Sequence, residues 1–190
     1  MRRIGALLAG WALVVAACGG SAETHPGSET GGGTDDAVAE RTIGVYSAVV
    51  RQLVTKDHTF GAEESPFDRV FIVDGVSDEA GELPRSSPRV ILQPFSPDVR
   101  AGIARELVDL PPVEFVSDPD SVVTGKKQCA HVKGNGVLIT LGPISDDEHS
   151  VTVSNSLFFA CLGGQWLTYE LERADGDWRV VGTKGPIAIS

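Results

Sequence analysis

Hydrophobic and polar positions divide this chain into three stretches. Ile4 to Ala17 is an uncharged, largely apolar run, residues 19–36 hold one alanine and no larger apolar side chain, and from Ala37 onward apolar residues recur with secondary-structure periods. In the third stretch Val38, Thr42, Val45, Val49 and Leu53 fall at helical spacing. Tyr46 and Val50 widen that stripe, and Arg41, Arg51, Gln52 and Lys56 occupy the other face. The spacing predicts a helix over 37–55 with Asp35 or Asp36 as its N-cap. Gly44 inside it costs about 1 kcal/mol against alanine and suits close packing on a sheet.

Arg69-Val70-Phe71-Ile72-Val73 is a β-branched, apolar run ended by Asp74-Gly75, the pattern of a buried strand. Residues 75–96, rich in Pro, Ser and acidic side chains, read as loop. Ser96-Pro97 then reads as an N-cap followed by proline at the first helical position, and Val99, Ile103, Ala104 and Leu107 predict a short second helix ended by Pro111-Pro112. Strands follow at 113–116, 129–133, 136–141, 149–161, 165–173 and 178–183. Asn135-Gly136 predicts a hairpin between the second and third of these, and Asp175-Gly176 another between the last two. Helices early and antiparallel strands late indicate an α+β domain spanning 37–190: two helices packed on a curved, mainly antiparallel sheet. The element order resembles the cone-shaped NTF2-like and cystatin-like folds. The ending Gly176-Asp177-Trp178-Arg179-Val180, with Ile189-Ser190, is similar to small secreted domains of uncharacterised bacterial families.

The first stretch has the parts of an export signal: basic Arg2-Arg3, an apolar region, and the small residues of Val15-Ala16-Ala17-Cys18 at its end. Fourteen residues span about 21 Å as a helix, short of a hydrocarbon core of about 30 Å. An ordinary secretory signal remains the alternative to what the cysteine suggests. Val15-Ala16-Ala17-Cys18 resembles the lipobox of bacterial lipoproteins, with valine where leucine is commoner. The resemblance implies that residues 1–17 are removed, that Cys18 is lipidated, and that the chain is exported and attached to the membrane through acyl chains. Residues 18–36 would then be a flexible linker, too poor in apolar side chains to offset the entropy of ordering. At Gly-rich stiffness it spans roughly 20–25 Å.

Charge narrows the partners. The chain carries −10, and loss of Arg2 and Arg3 takes two positive charges away, to −12. No basic stripe is present, which disfavours nucleic acid as a partner. An acidic body is repelled by anionic headgroups, so acyl chains rather than surface charge would hold it at the membrane. Eleven Arg against five Lys, with two Asn, fit a GC-rich bacterial coding sequence.

Export would leave Cys129 and Cys161 where disulfides persist, and one bridge is the natural pairing of two cysteines flanked by strand-like sequence. The rival is a reactive thiol at Cys161 with His131 or His149 as base. The apolar Leu157-Phe158-Phe159-Ala160 before it offers no electropositive setting for a thiolate.

The chain has no phosphate-binding glycine loop, GxSxG, HExxH or CxxC, and no cofactor motif. Asp146-Asp147-Glu148-His149 is the densest donor cluster, yet it follows Gly142-Pro143 and precedes a strand, so a solvated turn explains it and no metal ligand is assigned. Asp57-His58 follows the first helix, where a charged imidazole would complement the helix dipole; a carboxylate-oriented general base is the other reading. His25 in the linker reads as solvated. Trp166 and Glu170 share one face of a C-terminal strand and would line a ligand pocket if that face were concave, with His131 and Asp177 the further residues to inspect. If that face is filled, Trp166 caps the core edge instead.

These features lead to an expectation of a lipid-anchored envelope protein, non-enzymatic, whose domain binds a small ligand or an envelope protein. The alternatives are an envelope enzyme using the concave pocket of an NTF2-like domain, and an accessory subunit with an exposed apolar patch.

Overall fold

The computed structural model describes residues 32–58, 65–83, 91, 93–126, 129–146 and 150–190. Along them run α1 (Gly32–Thr55), β1 (Arg69–Val76), α2 (Pro97–Glu106), β2 (Val113–Val116), β3 (Val123–Lys126), β4 (Cys129–Val132), β5 (Gly136–Asp146), β6 (Val151–Ala160), β7 (Gly163–Ala174), β8 (Asp177–Thr183) and β9 (Ala188–Ile189). The class is α+β, with helices early and strands late. The expected signal segment, Cys18 and His25 lie outside the described residues. So does the linker up to residue 31.

The strands form one sheet in which β2, β1, β5, β6 and β7 are successive neighbours. On the far edge of β7, β8 pairs with Tyr169–Ala174 and β9 with Gln165–Trp166. The β3–β4 hairpin joins β6 through His131 and Ala160. Most pairs are antiparallel, but β1 is parallel to both β2 and β5. That explains its unbroken apolar run: a parallel strand covered on both faces has no polar side.

The Asn135-Gly136 hairpin does not form. Gly134 and Asn135 do take left-handed backbone (φ 63° and 49°), as the turn chemistry suggests. The chain instead leaves the sheet through a 3-10 turn at Lys133–Asn135, and β4 pairs with β3. The edge of β5 that a hairpin would need is taken by β1. Asn135 Nδ2 secures the arrangement by donating to Pro66 O at 3.0 Å and Asp68 Oδ2 at 3.2 Å. The Asp175-Gly176 hairpin forms between β7 and β8, with φ 56° and 96° at its two central residues.

Helix α1 begins at Gly32, earlier than the pattern predicts, so Asp35 lies in its first turn rather than at its N-cap. A carboxylate there complements the positive end of the helix dipole. Val45, Tyr46, Val49, Val50, Leu53 and Val54 of α1 are buried against Val70 and Ile72 of β1, Val137 and Ile139 of β5, Val153 and Leu157 of β6, and Leu167 and Leu171 of β7. Val38, the first residue of the predicted stripe, is 64% exposed. Helix α2 is capped as expected, Ser96 Oγ accepting from Val99 N at 3.2 Å with Pro97 in the first turn. It meets α1 closely, since a Cβ at Gly102 would come within 2.3 Å of Ile43 Cδ1.

Alternation along the strands sends Phe71, Val73 and Leu138 to the opposite face, where they join Val116, Val122 and Val132 in a second, smaller core. The same face carries a cross-strand row of Thr140, Ser156 and Trp166, all buried.

Candidate functional site

Where β5 leaves its ladder, between Leu141 and Ile144, the off-register residues are Gly142 and Pro143. A bulge of this kind bends the strand and releases a carbonyl from sheet pairing. Tyr46 Oη donates to Gly142 O at 3.0 Å, pinning α1 over the bulge. The Tyr46 ring packs edge-on to Phe95 (5.3 Å between centroids), and Phe95 edge-on to Phe115 (6.1 Å). Burial holds the Tyr46 phenol well above the ordinary tyrosine range, so it stays neutral.

Beside this contact a cleft of about 500 Å³ opens. One wall is the first half of α1, with Asp35, Val38, Ala39, Thr42 and Tyr46. The opposite wall is Gln93–Ser96 with Val99 of α2, and the ends are Val76 of β1 and Pro143-Ile144 of the bulge. Its volume lies in the range of small-molecule sites, and its walls are mostly apolar with a few polar groups, the usual make-up of such sites. Two of those polar groups are partly engaged: Thr42 Oγ1 donates to Val38 O at 2.8 Å, and Ser96 Oγ caps α2. No motif marks this site. Its residues come from positions 35 to 144, and what brings them together is the bulge and the turn before α2.

A second groove, of about 870 Å³, separates α1 from the end of α2 and the β7–β8 tip. Asp177 lies there with Trp178 and five arginines, but most of these are already engaged. Arg41 pairs with Asp146 and stacks over Trp178 at 5.9 Å; Arg51 pairs with Asp109 and donates to Glu106 O. Arg179 pairs with Asp175 at 3.8 Å, and Arg173 Nε donates to Gly176 O at 3.1 Å. Arg51 holds the Asp109 carboxyl below the usual range through its hydrogen bond. The groove is a crossing of ion pairs rather than a cationic surface.

The residues singled out for a pocket are not brought together. Trp166 is 4% exposed on the face away from the helices. Glu170 is half-buried on that face and accepts from Ser150 Oγ at 2.8 Å. His131 is exposed on β4, opposite Ala160. Glu170 pairs with Thr152, eight residues down β6 from Ala160, which at the rise of a strand is roughly 27 Å. None of the three lines either cleft. Asp146 holds Arg41, while Asp147, Glu148 and His149 lie outside the described residues.

Cys129 and Cys161 are disulfide-bonded, joining β4 to the turn after β6. At the end of α1 Asp57 accepts from Gln52 Nε2 at 3.1 Å and from Tyr169 Oη at 2.7 Å. His58 is fully buried with its ring edge-on to Phe67 at 6.1 Å. An imidazole packed in the core is not displayed to substrate.

Comparison with protein families, curated proteins and solved structures finds no match to this chain.

Proposed function

We propose that this chain is a bacterial envelope lipoprotein, exported and lipidated on Cys18, whose α+β domain binds a small, largely apolar ligand without transforming it. The observation that carries the binding half is the cleft between α1, the turn before α2 and the β5 bulge. The helix-covered face of the sheet is packed with Val, Leu, Ile and Tyr side chains, whereas this margin is open and walled by Val38, Val76, Phe95 and Ile144. An enzyme working in the concavity of an NTF2-like sheet would need the space that Leu53, Leu157 and Leu167 fill. The likeness to NTF2-like and cystatin-like domains is supported by element order and by both helices packing into the same core.

Support for the anchored half is the sequence Val15-Ala16-Ala17-Cys18 behind a basic, then apolar start; because the net charge repels anionic lipid, acyl chains rather than surface charge would hold the protein there. Two variants test the two halves. Cys18→Ser should move the protein from the membrane fraction to the soluble one; retention at the membrane refutes lipidation. Val38→Trp, at an exposed rim position, should block uptake of benzyl alcohol by the cleft without lowering the melting temperature. Unchanged uptake would place binding elsewhere.

A further inference from the structure

We infer that the ligand of this cleft is a cation: an amine or quaternary ammonium on a small aromatic or alkyl body. The inference rests on the cleft being the binding site and adds its charge selectivity. Among the described residues lining the cleft, Asp35 supplies the formal charge, and neither lysine nor arginine contributes. Among the described residues, Arg41 pairs with Asp146 and Arg100 with Asp74 at 2.7 Å, while Arg51 and Arg105 line the other groove.

Tyr46 and Phe95 are nearly buried and add apolar surface rather than charge to the lining. The charge of the whole chain acts in the same direction as Asp35. The field of a chain carrying −10 raises the local concentration of cations and lowers that of fatty acids or anionic lipids. An apolar body among Val38, Val76 and Ile144 with its ammonium toward Asp35 matches the apolar walls and the one carboxylate among the described residues of the lining.

The test titrates the full chain in zwitterionic lipid nanodiscs, with empty discs as blank. Three water-soluble probes of similar size are used: benzyltrimethylammonium, benzyl alcohol and phenylacetate. Methyl resonances of Val38, Val76, Val99 and Ile144 report on the cleft. The expected result is cation tighter than alcohol and alcohol tighter than carboxylate. Asp35→Asn should reduce the preference for the cation by up to about fivefold, the range of an exposed ion pair, and added salt should have the same direction of effect. Asp35 is in an exposed first turn, so its replacement leaves the fold intact. Equal binding of cation and alcohol, or tightest binding of phenylacetate, overturns the charge inference while leaving the cleft as the site. If no probe moves those methyls, the cleft reading itself fails.

Discussion

The phenol of Tyr169, in the middle of β7, donates a hydrogen bond of 2.7 Å to the carboxylate of Asp57, two residues past the end of α1. Tyr169 is 1% exposed and its ring belongs to the main core, so one side chain ties the helix end to the sheet through packing and through a charge-assisted bond. Tyr169→Phe keeps the packing and removes the bond, leaving Asp57 with Gln52. Denaturant unfolding should register a loss of about 1–2 kcal/mol; an unchanged midpoint would mean that water replaces the phenol without cost.

The two buried phenols make the protein sensitive to alkali. Tyr46 is raised by burial, and Tyr169 by burial first and then by the neighbouring Asp57 carboxylate. A folded-state pKa above the unfolded value of about 10 means that the native state holds its proton more tightly. The stability this contributes is complete below about pH 10 and is lost as the pH rises beyond it. Each phenol adds a slope of about 1.4 kcal/mol per pH unit in that window. Unfolding measured from pH 9 to 12 should show the decline, and Tyr169→Phe should roughly halve its slope. A flat profile would mean that both rings ionise freely in the folded protein.

At Gly44 the helix approaches β8 so closely that a Cβ would lie 2.8 Å from Trp178 Cδ1. Alanine is worth about 1 kcal/mol over glycine inside a helix, yet overpacking a rigid indole costs typically 1–3 kcal/mol. Gly44→Ala should therefore destabilise the wild-type domain. In a Trp178→Leu background the same substitution should be neutral or stabilising. The sign change across this double-mutant cycle is the decisive reading, and additive effects would show that the indole moves aside freely.

Local patterns made much of this fold legible. The α1 stripe, the Ser96-Pro97 start of α2, the apolar run of β1 and the Asp175-Gly176 hairpin all depend on residues near one another in sequence, and all are present. Pairing between distant segments was not legible. The Asn135-Gly136 pair carries the conformational preference of a hairpin but cannot tell that β1 will occupy the neighbouring edge of β5. Strand β3 (Val-Thr-Gly-Lys) has one apolar residue and β9 has only two residues, so neither carries a strand pattern. The cleft is not legible in the sequence because its residues read one by one as helix stripe, loop and turn. Val38 looked like core, and only its 64% exposure shows it to be a rim.

The bridge between Cys129 and Cys161 joins residues separated by 32 positions. It ties the β3–β4 edge of the sheet to the end of β6. Among the described residues, the register of β4 with β6 is limited to His131 and Ala160, although Val122 and Val132 pack into the smaller core. Closing a loop of this length removes roughly 3–4 kcal/mol of unfolded-state entropy in the chain-entropy model. Cys161→Ser should therefore lower the stability of the oxidised protein by an amount approaching that figure, and Cys129→Ser should do the same. The wild type in reductant should match both variants. Because the tie is local, amide exchange in the reduced protein should rise first across Val123–Val132 and least in β6 and β7. An unchanged melting temperature on reduction, with two free thiols counted, would show that the packing of Val122 and Val132 suffices. A uniform rise in exchange would show that the hairpin unfolds only with the whole domain.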